Sequence, residues 1–256
     1  AVARDAIATG QYDALLSLGG DGTVHTAVNG LLRRPPDDRP PLAIVGLGTG
    51  NDSARQLGLP HDPDRCADRI VAGEARPIDL IRVTPADGTT EYAINSTGWG
   101  FVGEVLRRLD RGDGRWAKPV SGKLFYLAGT IAAWRVHQAR PVQVILDGRI
   151  VWDGPCYAVI VANGALFGGG IPIAPVARLD DGRLEVVLVR ARDRRHMLRL
   201  LPIVHRGRHL AHADFRHASG RRVEVGGEGL IDADGELLGA GGLTAEVAPA
   251  AIRICR

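Results

Sequence analysis

The stretch LLSLGGDGTVHTAVNGLL, residues 15–32, constrains the fold of this chain more than any other part of it. A short apolar run leads into GGDGT at 19–23, and the apolar residues that follow recur at helical spacing, at positions 24, 27, 28, 31 and 32. This pattern predicts a strand buried on both faces, a tight glycine-rich turn and an amphipathic helix. Such a turn places bare backbone N–H groups at the positive end of a helix, where a phosphate is stabilised.

The same pattern recurs directly downstream. A Pro-rich segment at 34–41 is followed by an apolar strand at 42–45, the loop GLGTGND at 46–52 and a short helix. Strands that alternate with helices favour a parallel sheet, in which the carboxyl ends of neighbouring strands share one edge. Ligands bind at that edge in such sheets, so both loops are predicted to face one ligand site.

The remainder of the chain has mostly β character. Hairpin signals follow one another, because Asp-Gly pairs adjoin β-type runs at 87–88, 147–148, 181–182 and 234–235. We therefore predict an α/β domain over residues 1–77 and a β-sandwich domain over 78–245. The last strand, within 246–256, is expected to return to the first domain.

The composition excludes several classes of protein. Hydrophobic residues make up 45% of the chain, enough to fill a core, and 32 basic against 29 acidic residues give a net charge of +3, too weak to indicate nucleic acid as a partner. The three cysteines, Cys66, Cys156 and Cys255, lie far apart and form no C-x-x-C pair. They indicate a reducing, cytoplasmic compartment and neither a disulfide framework nor a zinc site.

Further motifs follow in a fixed order: NSTGWG at 95–100, SGKLFYL at 121–127, GGGIPIAPVARLDDGRLEVVLV at 168–189, GRHL at 207–210 and DADGE at 232–236. Together with GGDGTVHTAVNGLL and GLGTGNDSARQLGLP, they resemble the catalytic region of the diacylglycerol kinase and sphingosine kinase superfamily, especially its bacterial soluble lipid kinases. The resemblance covers nearly the whole chain. It implies the fold class α/β plus β, with a small α/β nucleotide-binding domain like that of NAD kinase, built on a parallel sheet, and a larger β-sandwich domain.

The resemblance also implies an activity, the ATP- and Mg²⁺-dependent phosphorylation of a hydroxyl on a diacylglycerol-like or sphingoid lipid. Residues of the two loops would surround the ATP phosphates: Gly19, Gly20, Asp21, Gly22, Thr23 and Thr49. Asn51 and Asp52 would brace the second loop. Asp21 would orient the loop or the waters on Mg²⁺, and the alternative is a turn-forming Asp that hydrogen-bonds its own loop.

Two further acidic motifs carry chemistry in the family. The resemblance implies that Asp234 or Glu236 of DADGE accepts the proton of the lipid hydroxyl, whereas the residues alone favour an ordinary Asp-Gly hairpin turn with a solvated Glu. ARLDDGRL at 177–184 resembles the family's structural Mg²⁺ site. Its ligands would be the Asp181 carboxylate and the carbonyls of Arg178 and Arg183, and plain turn residues are the alternative.

The sequence departs from the family pattern at several points. Thr26 stands where Glu is usual, Ser53 stands where Phe is common, and the sequence begins after a strand and an Asn-Pro-rich loop that touch the nucleotide in the family. These departures leave open a non-catalytic lipid- or nucleotide-binding homologue. An NAD kinase-like enzyme is the other alternative, and it predicts an Asn-Glu pair in its later phosphate-handling region and a Leu-Gly-Phe-type loop where GTGND stands.

A basic segment at 190–209 bears on the partners. It carries seven arginines and one acid, with apolar residues between them. Such a segment can lie on an anionic membrane surface, or it can pack its apolar side on the sandwich while the arginines stay hydrated. We expect a lipid substrate, transient contact with a membrane surface and no nucleic acid. The oligomeric state is left open, with a homodimer as one alternative.

Overall fold

Residues 15–72 fold into alternating strands and helices, as the sequence predicts. The computed structural model describes residues 12–60, 62–111, 122–190 and 194–255. The first elements are β1 (Leu15–Gly19), α1 (Asp21–Leu31), a 3₁₀ turn (Pro36–Asp38), β2 (Leu42–Gly46), α2 (Asp52–Gln56) and α3 (Pro63–Ala72). β1 and β2 pair in parallel, with Leu15 opposite Leu42 and Gly19 opposite Gly46. Both glycine-rich turns therefore leave the same edge of the sheet.

The remaining elements are mainly strands. They are β3 (Ala75–Pro85), β4 (Glu91–Ala93), β5 (Ser96–Gly100), α4 (Phe101–Asp110), α5 (Gly122–Val136), β6 (Arg140–Leu146), β7 (Arg149–Cys156), β8 (Ala158–Ala162), β9 (Leu184–Val189), α6 (Arg194–His205), a 3₁₀ turn (His209–Ala211), β10 (Phe215–Gly220), β11 (Arg222–Ala233) and β12 (Glu236–Cys255). The twelve strands within the described ranges belong to one hydrogen-bonded sheet system, with the main order β1-β2-β12-β11-β5-β8-β9-β10. None of the described helices has the length and apolar character needed to cross a membrane.

The predicted burial of β1 on both faces is wrong. Leu16 and Leu18 are 48% and 57% exposed, whereas Ser17 between them is buried. β1 lies at the end of the strand order, and no segment in the described ranges covers the face that carries Leu16 and Leu18. α1 packs on the other face through Val24, Val28 and Leu31.

The Asp-Gly pairs form hairpins at three of the four predicted places. Asp147 and Gly148, with φ of 48° and 79°, join β6 to β7, and Asp234 and Gly235, with φ of 47° and 88°, join β11 to β12. Positive φ at both central residues is the geometry of a tight two-residue hairpin turn, which explains the Asp-Gly sequence. Residues 87–88 join β3 to β4. The pair at 181–182 forms no hairpin of its own, because it ends the long connection from β8 to β9.

The long strand β12 joins the two halves of the chain. It pairs with β11 and β3 in antiparallel fashion, and Ile254 near its end pairs with Leu42 of β2 in parallel. β3 runs through residue 77 and β12 runs through residue 245 without interruption. The domain limits at 77 and 245 therefore stay a prediction.

Three apolar clusters lie along this sheet system in the described ranges, and the third, around Phe215, packs α6 on the sheet. One packs α1, β2 and α2 against the ends of β3 and β12, with Leu31, Leu42, Leu57 and Ile254 almost inaccessible to solvent. The second lies among the strands of the second half, around Trp99. Each fully buried large apolar side chain contributes about 1.5–3 kcal/mol to stability. The cores hold the edge with the two glycine-rich turns in a fixed place.

The basic segment coincides in part with α6. Residues 191–193 and the side chains of 194–198 lie outside the described part of the chain. Leu200 is buried, and Ile203 and Val204 pack with it on the cluster that contains Phe215. These three apolar side chains pack on the protein, whereas Leu201 is exposed, and contact with a membrane surface stays a prediction.

Candidate active site

The two glycine-rich turns pack directly against each other. The Leu47 N–H donates to the Gly19 carbonyl at 2.9 Å. A Cβ atom placed on Gly48 would lie 2.4 Å from the Cα atom of Gly20, a separation that real Cβ atoms do not reach. Only glycine fits at this point, and the two turns form one continuous wall at the edge of the sheet.

Asp21 connects the first turn to the second. Its carboxylate accepts hydrogen bonds from the backbone N–H groups of Asp52, at 3.1 Å, and Ser53, at 3.0 Å. These amides open the short helix α2, and they would otherwise lack partners within that helix. Asp21 therefore caps the neighbouring turn, and these bonds do not run to its own loop. The N-terminal amides of α2 are thereby occupied by the protein itself.

Asn51 forms three hydrogen bonds within the second turn. It adopts a left-handed conformation with φ of 54°, which Asn tolerates better than most residues. Its side-chain amide donates to the carbonyls of Gly46, at 3.1 Å, and Gly48, at 2.7 Å, and its Oδ1 accepts the Gly48 N–H at 2.8 Å. One buried side chain thus closes the whole loop.

Asp52 reaches beyond the loop that it was expected to brace. Its Oδ2 accepts the Gly169 N–H at 2.7 Å, which ties the second turn to the GGG segment at 168–170. Burial raises the pKa of this carboxyl, and the Asp21 charge adds to the rise, while the hydrogen bond from Gly169 and the charge of Arg55 oppose it. Asp52 is therefore a link between the two halves of the chain.

The open side of the wall is formed by Gly22, Thr23 and Thr49, all of which are exposed. The Thr23 side chain lies over Gly19, where an added Cβ would come within 2.3 Å of its Oγ1. Thr26, which departs from the family pattern, donates its hydroxyl proton to the Gly22 carbonyl at 3.0 Å. Its side chain thus turns back on the first turn of α1.

The DADGE motif lies beside the first glycine-rich turn, but its two predicted acids have different surroundings. The Asp234 carboxylate accepts three backbone N–H groups, from Ile94 at 2.7 Å, Asn95 at 2.8 Å and Ser96 at 3.1 Å. Its side chain is only 3% exposed. Three amide hydrogen bonds occupy most of the lone-pair positions of the Asp234 carboxylate, so few remain to accept a substrate proton. This geometry suits a structural role.

Glu236 is the acid that faces the first glycine-rich turn. It is exposed, and its Oε1 lies 3.3 Å from the place that a Cβ atom on Gly22 would occupy. The structure therefore brings the carboxylate of one half of the chain to the predicted phosphate turn of the other. A proton acceptor must be within hydrogen-bond reach of the reacting hydroxyl. An exposed carboxylate beside the first glycine-rich turn can satisfy that condition.

Asp232, the first residue of DADGE, was missed by the sequence reasoning. It is 3% exposed, and its Oδ1 would lie 2.4 Å from a Cβ atom on Gly98 of the neighbouring strand. Burial and the Asp234 charge raise its pKa to about 7, although the Gly235 N–H opposes the rise. Because successive side chains of a strand point to opposite faces of the sheet, the Asp232 side chain points to the face opposite that of Ile231 and Ala233. The sequence carries no signal that this second face is also covered.

The predicted Mg²⁺ ligands lie together in an exposed turn. Asp181 accepts the Arg183 N–H through Oδ1 at 3.0 Å, and Arg178 contacts Asp180 at 3.3 Å. The turn is joined to β3 by the Gly182 N–H, which donates to Asp79 at 2.7 Å. Among the described residues, no group of three or more His, Cys, Asp and Glu side chains could hold a metal ion. One carboxylate with two carbonyls is a hard oxygen set that suits Mg²⁺, so this site stays a prediction.

Comparison with known proteins identifies the family. Residues 1–83 match the diacylglycerol kinase catalytic domain, and residues 105–256 match the YegS C-terminal NAD kinase beta sandwich-like domain. The diacylglycerol kinase of Mycobacterium tuberculosis (strain CDC 1551 / Oshkosh) is 31% identical over 248 residues, which cover 95% of this chain and 77% of that protein.

Solved structures share the fold. The crystal structure of a diacylglycerol kinase from Bacillus anthracis str. Sterne covers 99% of this chain and 80% of its own, with a TM-score of 0.70 at 22% identity. An NAD kinase from Archaeoglobus fulgidus, in complex with ATP, gives a TM-score of 0.54 at 17% identity, over 98% of this chain and 80% of its own. The α/β plus β fold class is confirmed. The chain belongs to the diacylglycerol kinase superfamily, a group of kinases.

Proposed function

We propose that the protein is a lipid kinase that transfers the γ-phosphoryl group of ATP to a hydroxyl of a diacylglycerol-like or sphingoid lipid, with Mg²⁺. The observation that carries this proposal is the position of Glu236 against Gly22, because it sets an exposed carboxylate beside a turn suited to phosphate. The names of the relatives support a lipid as the acceptor.

The nucleotide would lie on the wall formed by the two turns. Backbone amides at the start of α1 can donate to phosphate oxygens, and the exposed hydroxyls of Thr23 and Thr49 can add to them. The amides that open α2 are occupied by Asp21, so α1 is the better candidate for the phosphates. Bound Mg²⁺ would neutralise the charge of the triphosphate.

Glu236 is proposed as the proton acceptor. The lipid hydroxyl oxygen forms a bond to the γ-phosphorus while the bond to the ADP oxygen breaks, and the hydroxyl proton passes to the Glu236 carboxylate. Asp234 is the weaker candidate, since three backbone amides already bind its carboxylate. Its proposed role is to hold the turn that carries Glu236.

A transfer assay tests this function. Purified protein is incubated with labelled ATP, Mg²⁺ and a mixed lipid extract, and organic-soluble phosphorylated products are identified by mass spectrometry. We expect Glu236→Gln to lower kcat by about 10²–10⁴-fold, the usual contribution of a positioned base. Glu74→Gln, at an exposed position after α3, is the matched control and should behave as the wild type.

Three outcomes separate the alternatives. Equal activity in Glu236→Gln would remove the proposed base. Phosphorylation of NAD with no lipid product would favour an NAD kinase-like enzyme. Tight ATP binding without transfer to any acceptor would favour a non-catalytic homologue.

A further inference from the structure

His25 is a buried residue beside Asp234. Neither the family resemblance nor the proposed chemistry gives it a role. It lies in the second turn of α1 and is 6% exposed. Its Nδ1 is 3.5 Å from Oδ2 of Asp234, and its Nε2 is 3.3 Å from Oε1 of Glu91 in β4. The ring therefore lies between two carboxylates that belong to different parts of the fold.

Other groups around the ring are few and mostly acidic. On α1 itself, the side-chain amide of Asn29 lies 3.4 Å from Nε2. The turn between β11 and β12 contributes the charge of Glu236 in addition to that of Asp234. Asn29 also accepts the Tyr92 N–H at 2.9 Å and donates to the Tyr92 carbonyl at 2.9 Å, which fixes α1 against β4.

This arrangement favours the charged form of the ring. Among the described residues the Nδ1 atom has no hydrogen-bond partner, so the ring meets the two carboxylates at ion-pair distances of 3.5 Å and 3.3 Å, and only the charged imidazolium is attracted to both. Burial alone would lower the pKa of His25, but the contact with Asp234 and the charges of Asp234, Glu91 and Glu236 outweigh it and raise the pKa above 6.5. The cation in turn offsets the repulsion between two acids, of which Asp234 is buried and Glu91 is partly exposed.

We propose that His25 is a positioning residue for the phosphoryl transfer. Its imidazolium joins Asp234 to Glu91 and thereby holds the turn that carries Glu236 against the first glycine-rich turn. This role rests on the proposed function, although the ionic contacts of His25 can be tested without it.

The connectivity explains why the contact matters for catalysis. The three amide hydrogen bonds of Asp234 fix it to residues 94–96, whereas the contact with His25 reaches α1, the helix that opens at the phosphate turn. Glu236 follows Asp234 by two residues, with Gly235 at φ of 88° between them. Loss of the His25 contact should therefore let Glu236 move relative to Gly22.

Two measurements test this role, with His217 as a matched control. His217 also pairs with a carboxylate, Glu185, at 2.5 Å, but in the hairpin of β9 and β10. The first measurement is the NMR titration of the His25 ring, assigned by its loss in His25→Gln. We expect a titration midpoint above 6.5 that moves to lower pH in Asp234→Asn, and again in Glu91→Gln.

The second measurement is the pH dependence of kcat with the lipid identified above. We expect His25→Gln to lower kcat by about tenfold to hundredfold, the effect of a displaced catalytic group, with a smaller change in KM for ATP. Wild-type kcat should fall on the alkaline side as His25 loses its proton. That fall should be absent in His25→Gln, and His25→Lys, which keeps a cation, should recover part of the activity. His217→Gln should leave both the rate and the profile unchanged.

The results separate the role of His25 from the proposed function. Wild-type protein that phosphorylates no lipid would refute the proposed function. Active wild-type protein with an unchanged rate and pH profile in folded His25→Gln would refute the positioning role. A His25 midpoint that does not respond to Asp234→Asn would also refute it, because the ionic contact would then be absent.

Discussion

Replacing Asp232 with asparagine should stabilise the protein, and the gain should grow as the pH rises. Asp232 is buried, and its carboxylate lies against Gly98 of the neighbouring strand β5. Burial and the Asp234 charge raise its pKa from 3.8 to about 7. At neutral pH and above, the folded protein therefore holds a carboxylate in an unfavourable place. Asparagine has nearly the same shape and carries no charge at any pH.

The magnitude follows from the pKa. Below pH 3.8 the Asp232 carboxyl is protonated in both the folded and the unfolded chain, so it adds no pH dependence to the free energy of unfolding. Between 3.8 and about 7 the unfolded chain releases the proton while the folded chain keeps it, and the free energy of unfolding falls as pH rises. Each pKa unit corresponds to about 1.4 kcal/mol, so a shift of about three units amounts to roughly 4 kcal/mol.

Urea unfolding, followed by tryptophan fluorescence at pH 5 and pH 8, measures the effect. Between pH 5 and the pKa of about 7, the free energy of unfolding of the wild type falls by about 1.4 kcal/mol per pH unit, whereas that of Asp232→Asn has no such term. The gain from Asp232→Asn should therefore be roughly 2–3 kcal/mol larger at pH 8 than at pH 5. Asp153→Asn, on the exposed strand β7, is the control and should show no such dependence. A gain that is the same at both pH values would refute the burial of an ionising Asp232.

Three further predictions follow from the geometry. Gly48→Ala should destabilise the fold by about 1–3 kcal/mol and weaken equilibrium ATP binding, because its Cβ would meet the Gly20 backbone at 2.4 Å; unchanged binding would contradict the packing of the two turns. Asp21→Asn should raise KM for ATP and lower stability by about 1–3 kcal/mol, since an amide accepts the two N–H groups less well, and urea unfolding beside steady-state kinetics would show both changes. Cys156 is buried with its pKa raised to about 11, so a thiol reagent at pH 8 should label it only after unfolding, and rapid labelling of the native thiol would contradict its burial.

The local features of the site could be predicted from the sequence. The GGDGT and GTGND turns are marked by glycine, by apolar periodicity and by the strands before them, and all of these act within about ten residues. The parallel pairing of β1 with β2 then brings both turns to one edge. The family resemblance added the DADGE motif, which the residues alone would assign to a plain hairpin.

The partners of the acidic side chains could not be predicted, because they are distant in the sequence. Asp21 binds amides 31 and 32 residues away, and Asp234 binds amides 138 to 140 residues away. The sequence therefore left the choice between Asp234 and Glu236 open. The exposure of Leu16 and Leu18 was missed for a related reason, since an apolar run does not reveal whether its strand lies at an edge.

The return of β12 to the first strands has a consequence for how the protein forms during synthesis. Arg39 donates to the Ala251 carbonyl at 2.9 Å across 212 residues, close to the pairing of Leu42 with Ile254. While the ribosome has translated only the early part of the chain, β2 lacks this neighbour and one of its sides is unpaired. The half of the chain that contains β1 and β2 can therefore reach its final state only after residue 254 has emerged, and until then its apolar strands are open to association with other nascent chains.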